Sequence, residues 1–364
     1  MPDIDKCPEC RVPRQITSEH IWRNNGVIIS KRDSTHRMVF FESDNLDHLY
    51  HGIAELIGMP IEHLVIDASR RSTQAYIDRL VPDDIKELMR QRDMEISLVI
   101  EAMFTTSRLM GYGRLSLVDV RYEGDKKDFV TVRLEKPYSL PLCYGNFSGT
   151  VEALIGGEPG IEYGEVSPGV YEAMVFSSEI PSELKKRLHW RGYLQKYKEG
   201  HIELERCGTC GGPRALSSFH WDLDMGVIRS TTTGKRMVIT GPSMIDPVFE
   251  DLEQELGDSI PRVVVEAQKR FVKTGFFSVG EVDDEASLRS RLALRGLGNM
   301  VEVRMGRKGV RLVLENAALH LLGVGMAQGL YELAFNVESE VDWELSEDGV
   351  LHIEVNPKGH SLNL

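Results

Sequence analysis

Two CxxC pairs dominate the chemistry this sequence can offer. CPEC (Cys7 to Cys10) and CGTC (Cys207 to Cys210) lie 200 positions apart, and Cys143 is the one other cysteine. A CxxC turn aims two thiolates at one ion, whereas a structural Zn²⁺ takes four ligands in a tetrahedron. Each pair is therefore half of a site. In a chain with no secretory signature, such pairs point to metal or redox chemistry rather than structural disulfides. The reading adopted here joins Cys7, Cys10, Cys207 and Cys210 in one shared zinc site. Four thiolates leave no open position for water, so that site is structural, not catalytic. Two alternatives stay open. One gives each half its own ion, through Cys7, Cys10 and His20 and through Cys207, Cys210 and His220, each set one ligand short. The other leaves free thiols or a redox switch. A redox CxxC normally opens a helix after a strand, but both motifs here precede a hairpin pattern.

The surroundings of the two pairs also recur. CPECRVPRQITSEH aligns with CGTCGGPRALSSFH without a gap, setting Pro13 on Pro213 and His20 on His220. Gly26-Val27-Ile28 meets Gly226-Val227-Ile228, and Arg37-Met38-Val39 meets Arg236-Met237-Val238. Downstream, Gly58 matches Gly257 and Arg71 matches Arg270. GYG at 111 to 113 answers GLG at 296 to 298, Glu135 answers Glu315, and Gly145 and Gly149 answer Gly325 and Gly329. The offset falls from 200 through 199 and 185 to 180, which places the insertions of the first copy in its helical middle. The chain therefore reads as a full-length tandem duplication. Its expected arrangement is a pseudo-twofold dimer within one chain, with residues 1–181 as the first repeat, 182–200 as a linker helix and 201–364 as the second. If the N-terminal segments meet near the twofold, four thiolates converge. The shared arginines, Arg37 with Arg236 and Arg71 with Arg270, are expected to hold carboxylates or loop carbonyls at inter-repeat or helix-end positions.

Each copy must supply elements to position these residues. GVIISKRDSTHRMVFF and GVIRSTTTGKRMVIT each flank a polar turn with β-branched runs, the signature of a hairpin. DPVFEDLEQELG puts Val248, Phe249, Leu252 and Leu256 on one helical face, and Ser259 precedes a helix that starts near Pro261. VPDDIKELMRQRDMEISLVIEAMFTTSRLM reads as one long helix. The remainder of each copy reads strand, strand, helix, strand, strand. The fold class is α+β, with helices packed on a mostly antiparallel sheet in each repeat.

Composition narrows the function. A hydrophobic share of 41%, a charged share of 27% and a net charge of −13 suit a soluble protein and argue against a nucleic-acid binder, which needs a basic surface. No apolar run reaches the length of a membrane span, and the polar N-terminus MPDIDKCPEC does not read as a signal peptide. A cytoplasmic location is the expectation. The basic stretch SELKKRLHWRGYLQKYKEG reads as a solvated connecting helix. GVGMAQG at 323 to 329 superficially resembles a phosphate loop, but its counterpart CYGNFSG lacks the first glycine and no strand-loop-helix pattern surrounds it. No catalytic constellation stands out, so the catalytic set is empty.

The order of helices, GYG or GLG, two strands, a small-residue helix and a closing hairpin resembles the 4-vinyl-reductase-type small-molecule-binding domain family. That family is related in fold to vesicle-tethering transport-particle subunits and to haem-nitric-oxide-sensor domains. The resemblance rests on VRLEKPYSLPLCYGNFSGTVEALIGGEPGIEYGEVSPGVYEAMV and its counterpart VRLVLENAALHLLGVGMAQGLYELAFNVESEVDWELSEDGVLHIEV, within residues 44 to 176 and 243 to 356. Many members carry a cysteine-rich closing hairpin, which this chain lacks. The resemblance implies a sensor or ligand-binding module, often dimeric, that encloses a small apolar or aromatic molecule. With no catalytic constellation and no output domain visible in the sequence, the expectation is a non-catalytic protein that reports its ligand to a separate protein partner. Candidate pocket residues are Tyr163 and Trp343, at equivalent strand positions, with Cys143, Gly145, Gly149, Gly325 and Gly329. The alternatives are a reductase or redox enzyme, for which no flavin or nicotinamide motif is evident, and a protein-interaction scaffold.

Overall fold

Pro13 leads into the first helix, α1 (Arg14–Glu19), which is followed by a meander of β1 (His20–Trp22), β2 (Ile28–Ser30) and β3 (Arg37–Glu42). The computed structural model describes residues 4–178, 196–278 and 284–358. Helix α2 (Asp44–Ile57) carries Asp44 and Asp47 in its first turn, where carboxylates favour the helix dipole, and ends on Gly58 in the left-handed conformation. Its buried face is Leu46, Leu49, Tyr50 and Ile53, the i, i+3, i+4, i+7 spacing of an amphipathic helix. Then come α3 (Glu62–Leu80), α4 (Asp83–Arg90), α5 (Ile96–Met110), β4 (Arg114–Arg121), β5 (Phe129–Glu135), α6 (Leu140–Ile155), β6 (Glu158–Ser167) and β7 (Val170–Ser178).

The later part of the chain repeats this order. A 3₁₀ turn over Arg214–Ser218 leads to β8 (Phe219–Asp222), β9 (Val227–Ser230) and β10 (Arg236–Thr240). There follow α7 (Asp246–Leu256), α8 (Ile260–Phe271), α9 (Glu285–Leu294), β11 (Asn299–Gly306), β12 (Gly309–Glu315), α10 (His320–Phe335), β13 (Ser339–Leu345) and β14 (Leu351–Pro357). The described residues thus form ten α-helices and three antiparallel sheets, the expected α+β class. Two sheets are four-stranded, ordered β4-β5-β7-β6 and β11-β12-β14-β13. Along β5, Val130, Val132 and Leu134 face the core, the two-residue alternation of a sheet covered on one side. The third sheet runs β1-β2-β3-β10-β9-β8 and joins the two halves of the sequence through β3 and β10, with Phe40 opposite Ile239.

Contacts continue crosswise from this central sheet. The Trp22 indole donates to the Leu294 carbonyl at 2.9 Å, and the Trp221 indole to the Leu109 carbonyl at 3.2 Å. Arg37 donates to the carbonyls of Gly296, Asn316 and Ala317 at 2.8, 2.5 and 3.1 Å. Arg236 does the same for Gly111, Lys136 and Pro137 at 3.2, 2.5 and 2.7 Å. Both guanidiniums are buried, so three carbonyls each replace the water that such a charge loses. Burial holds the Arg37 pKa down at about 10. Helix α2 packs on α8, and α7 packs on α3. The N-terminal arm thus rests on the later domain, and the arm after Arg206 rests on the earlier one. Where the arms touch, backbones meet closely: a Cβ on Gly26 would lie 2.2 Å from the Gly298 carbonyl oxygen, and one on Gly226 lies 2.3 Å from that of Gly113.

Three expectations need correction. The long insertion helix is two, α4 and α5, broken where Arg92 takes a left-handed φ of 64°. The linker helix expected over 182–200 falls largely on residues outside those described, and the described end, Lys196 to Gly200, is not helical; there Lys198 receives an Asn25 amide bond at 2.7 Å. The third concerns phase. His20 faces Ser30 and Trp22 faces Ile28, while Phe219 faces Ser230 and Trp221 faces Ile228. His20 therefore matches Phe219, not His220. The six-residue α-helix before β1 has as its counterpart before β8 a five-residue 3₁₀ turn, and a tighter turn uses fewer residues to cover the same path.

Candidate metal centre and apolar cavity

The two CxxC turns meet beside the central sheet. In each, a backbone knuckle fixes the thiols. The Cys7 amide donates to Val12 at 2.9 Å and the Arg11 amide to Cys7 at 2.9 Å; the Cys207 amide donates to Gly212 at 2.8 Å and the Gly211 amide to Cys207 at 2.9 Å. The reversal needs a left-handed residue, Arg11 with φ 63° in one turn and Gly211 with φ 71° in the other. Glu9 ties the turns together, accepting from the Thr209 amide at 3.1 Å and hydroxyl at 2.8 Å.

The four Sγ atoms lie within 4.8 Å of one another. Cys7 is 3.7 Å from Cys207, and Cys10 is 3.6 Å from Cys210. A tetrahedral ZnS₄ site with bonds of about 2.3 Å has sulfurs about 3.8 Å apart, so the spacing suits a metal ion. Burial pushes the Cys10 thiol up to about 12. Against the same burial, hydrogen bonds from the Cys10 and Glu9 backbone bring Cys7 down to about 7. Adjacent buried thiolates repel, and a bound cation removes that conflict. His20 stands apart from the cluster, with its Nδ1 2.9 Å from the Ile16 carbonyl and its pKa lowered by desolvation. His220 is exposed. The thiols form one group rather than two.

The second feature is a cavity of about 360 Å³ in the later domain. Its walls are the α10 residues Leu322, Gly323, Met326, Ala327, Leu330 and Ala334, with β11 and β12 below and α9 to the side. Small residues on one face of α10 make the space. Phe41, Glu42 and Asn45 of the N-terminal arm close one end. There Glu42, nearly fully buried, pairs with Arg295 through contacts of 2.5 and 3.2 Å. Asn45 donates to Gln268 at 2.8 Å, and its Oδ1 is buried without a partner.

The residues expected to form a pocket lie elsewhere, because the glycines belong to the opposite helix face. A Cβ on Gly145 would sit 2.4 Å from the Ile66 carbonyl oxygen, and one on Gly149 2.1 Å from that of Arg70. Gly325 and Gly329 would meet Val265 and Val272 in the same way. These four glycines let α6 lie on α3 and α10 on α8. Cys143 is buried in the earlier core, where burial raises its thiol to about 12. Tyr163 is 42% exposed and stacks on Tyr144 at 4.3 Å, and Trp343 lies under Arg262 at 5.3 Å. None of the seven lines the cavity.

The signal that locates the hollow is the difference between the two domains at aligned positions. Ala318, Gly323 and Ala327 match Tyr138, Cys143 and Phe147, 180 positions earlier, and those three are buried in the earlier domain. The Tyr138 and Tyr112 rings lie 4.6 Å apart, tilted by 31°. Large side chains thus occupy in one domain the positions that small ones leave open in the other.

No protein-family model matches the chain, and no curated protein matches it. Among solved structures, similar ones include an Fe(II) unliganded H-NOX protein mutant from K. algicida, at 14% identity, covering 33% of this chain and 74% of that one with a TM-score of 0.24. A mutant H-NOX of T. Tengcongensis matches at 11% identity, over 33% and 75% of the two chains, also with a TM-score of 0.24. Among the described residues no helix is long and apolar enough to cross a membrane.

Proposed function

We propose that this chain is a non-catalytic binding protein that holds a small apolar ligand in the later domain, with one structural zinc clamping its two halves. The observation that carries the reading is the apolar cavity of about 360 Å³, a size typical of ligand sites, at positions where the other copy is filled. The zinc is supported by four converging thiols spaced for tetrahedral coordination. Cys7, Cys10, Cys207 and Cys210 would hold the ion, which supplies a cross-link and no reactive position. The same reading takes the chain as a fused, pseudo-twofold pair of 4-vinyl-reductase-type domains, its axis passing between Phe40 and Ile239. A ligand signal would pass to a separate protein.

Two measurements test it. N-Phenyl-1-naphthylamine, a neutral apolar dye, is expected to brighten on binding one site per chain, and Ala327→Phe to abolish the response. No brightening, or brightening untouched by that substitution, counts against the cavity. Metal analysis of chelator-free protein is expected to give one zinc per chain, lost equally in Cys7→Ser and Cys207→Ser. Two zincs, or none, sink the shared clamp, and one iron replaces the assignment of the metal.

A further inference from the structure

The cavity wall is apolar except at definite places. Asp284 caps α9 by accepting from the Ser287 amide at 2.8 Å, and Glu285 pairs with Arg289 at 3.0 Å. The Tyr331 hydroxyl is spent on the Arg307 carbonyl at 3.0 Å. At the end closed by the N-terminal arm, the guanidinium of Arg295 is matched to the Glu42 carboxylate. Among the lining residues the Oδ1 of Asn45, which is only 2% exposed, is left without a partner, as is the Nε2 of Gln268, whose Oε1 accepts from Asn45. A buried acceptor without a donor costs free energy, and native structures rarely keep one without a reason.

The earlier copy makes this end informative. Glu42, Asn45 and Arg295 match Gly241, Met244 and Met110 at the offsets of 199 and 185. The positions that carry the polar end in the later domain are therefore glycine and methionine in the domain with the large, filling side chains. Both differences, small for large along α10 and polar for apolar at the arm, fall in the same domain. One ligand with an apolar body and a polar tip accounts for both.

We propose that the ligand is an uncharged, roughly two-ring apolar molecule carrying one hydrogen-bond donor, a hydroxyl or an amine, which Asn45 accepts beside Glu42. This rests on the binding reading above. The volume is somewhat more than twice that of an apolar cavity of about 150 Å³ that binds benzene. The polarity follows from the free atom, an acceptor, beside a carboxylate already matched to Arg295: an alcohol or amine tip finds a partner at Asn45, and a ketone or carboxylate tip does not. The two ends of the site also come from different halves of the sequence, so the occupied ligand bridges the arm to the domain.

The test is displacement of N-phenyl-1-naphthylamine by three near-isosteric probes, 1-indanol, 1-methylindane and 1-indanone. In the wild-type protein 1-indanol is expected to bind about tenfold more tightly than 1-indanone, the worth of one buried hydrogen bond. In Asn45→Leu, which keeps the volume, that preference is expected to fall below about twofold while 1-methylindane binds unchanged. Equal or tighter binding of 1-indanone to the wild type overturns the proposal, as does a hydroxyl preference that survives in Asn45→Leu. The wild-type ranking stands even if the variant fails to fold. Failure of the dye itself to bind defeats the binding reading; dye binding with no displacement by any probe defeats only the ligand class.

Discussion

The two domains share an element order and differ in what fills them. In the earlier one, Tyr138 just before α6 and Cys143 and Phe147 on it are buried in the core; in the later one, Ala318, Gly323 and Ala327 at the matching positions line a hollow. The features that join the halves are, by contrast, kept in pairs. Arg37 and Arg236 each gather three carbonyls, Trp22 and Trp221 each reach one, and two thiols come from each side. The two domains are alike where contacts join them and differ where one is filled and the other hollow.

This contrast can be attacked from the interior outward. Phe147→Ala removes a buried ring from the filled domain and is expected to cost about 3–5 kcal/mol in denaturant unfolding. Ala327→Phe adds the same ring to the hollow one, where space exists, and is expected to stay within about 1 kcal/mol of wild type, below the usual 1–3 kcal/mol of overpacking. Similar losses for both would mean that the domains are equally packed.

A smaller difference lies in the arms. His36 stacks on Tyr76 at 4.2 Å, whereas its counterpart Lys235 lies over Phe276 and Phe277 at 4.9 and 4.5 Å. Desolvation lowers the His36 pKa to about 4, with Asp33 opposing and Arg79 and His20 assisting. A folded-state pKa below the unfolded value of about 6.5 means that folding favours the neutral ring. That contribution is complete above about pH 6.5 and is lost as the pH falls towards 4, by up to about 3 kcal/mol. His36→Phe is expected to flatten the stability profile between pH 6.5 and 4 relative to wild type, whereas Lys235→Met leaves its slope alone. Parallel wild-type and His36→Phe profiles would remove the histidine from the explanation.

The smallest effect separates the knuckles. Arg11 holds a left-handed φ that Gly211 adopts freely, so Arg11→Gly is expected to raise stability by about 1 kcal/mol and Gly211→Ala to lower it by a similar amount. Thermal unfolding with zinc present reads both, and a destabilised Arg11→Gly would show that the side chain matters more than the backbone.

Much of this was legible in the residues. The cysteine cluster was, because thiols are few and their matched spacing is chemically specific. The strand-strand-helix-strand-strand order was too, because alternation along segments such as FVTVRLE leaves little choice of face. The crossing of the arms was not: an alignment says which residues correspond, and a contact between two corresponding elements satisfies the same pattern whether it closes within a copy or between copies. The cavity was missed because glycine attracts attention to close packing, and Gly325 and Gly329 do pack closely, on the wrong side of the helix. An opening is written in what is small relative to its counterpart, Ala327 against Phe147, which a reading for motifs does not weigh. The His20 and His220 pairing failed through one residue of helical winding.

The crossing of the arms also has a consequence for the order in which the chain can be completed during synthesis. Carbonyls of Gly111, Lys136 and Pro137 wait for Arg236, and the Leu109 carbonyl waits for Trp221, about a hundred residues further along. At ribosomal rates of about 5–20 residues per second, the earlier domain spends some seconds with its β10-facing side uncovered. The N-terminal arm waits longer still, for Gly296 and Ala317. The contacts that join the halves are therefore the last to be completed, and such distant contacts belong to the slow class of folding reaction.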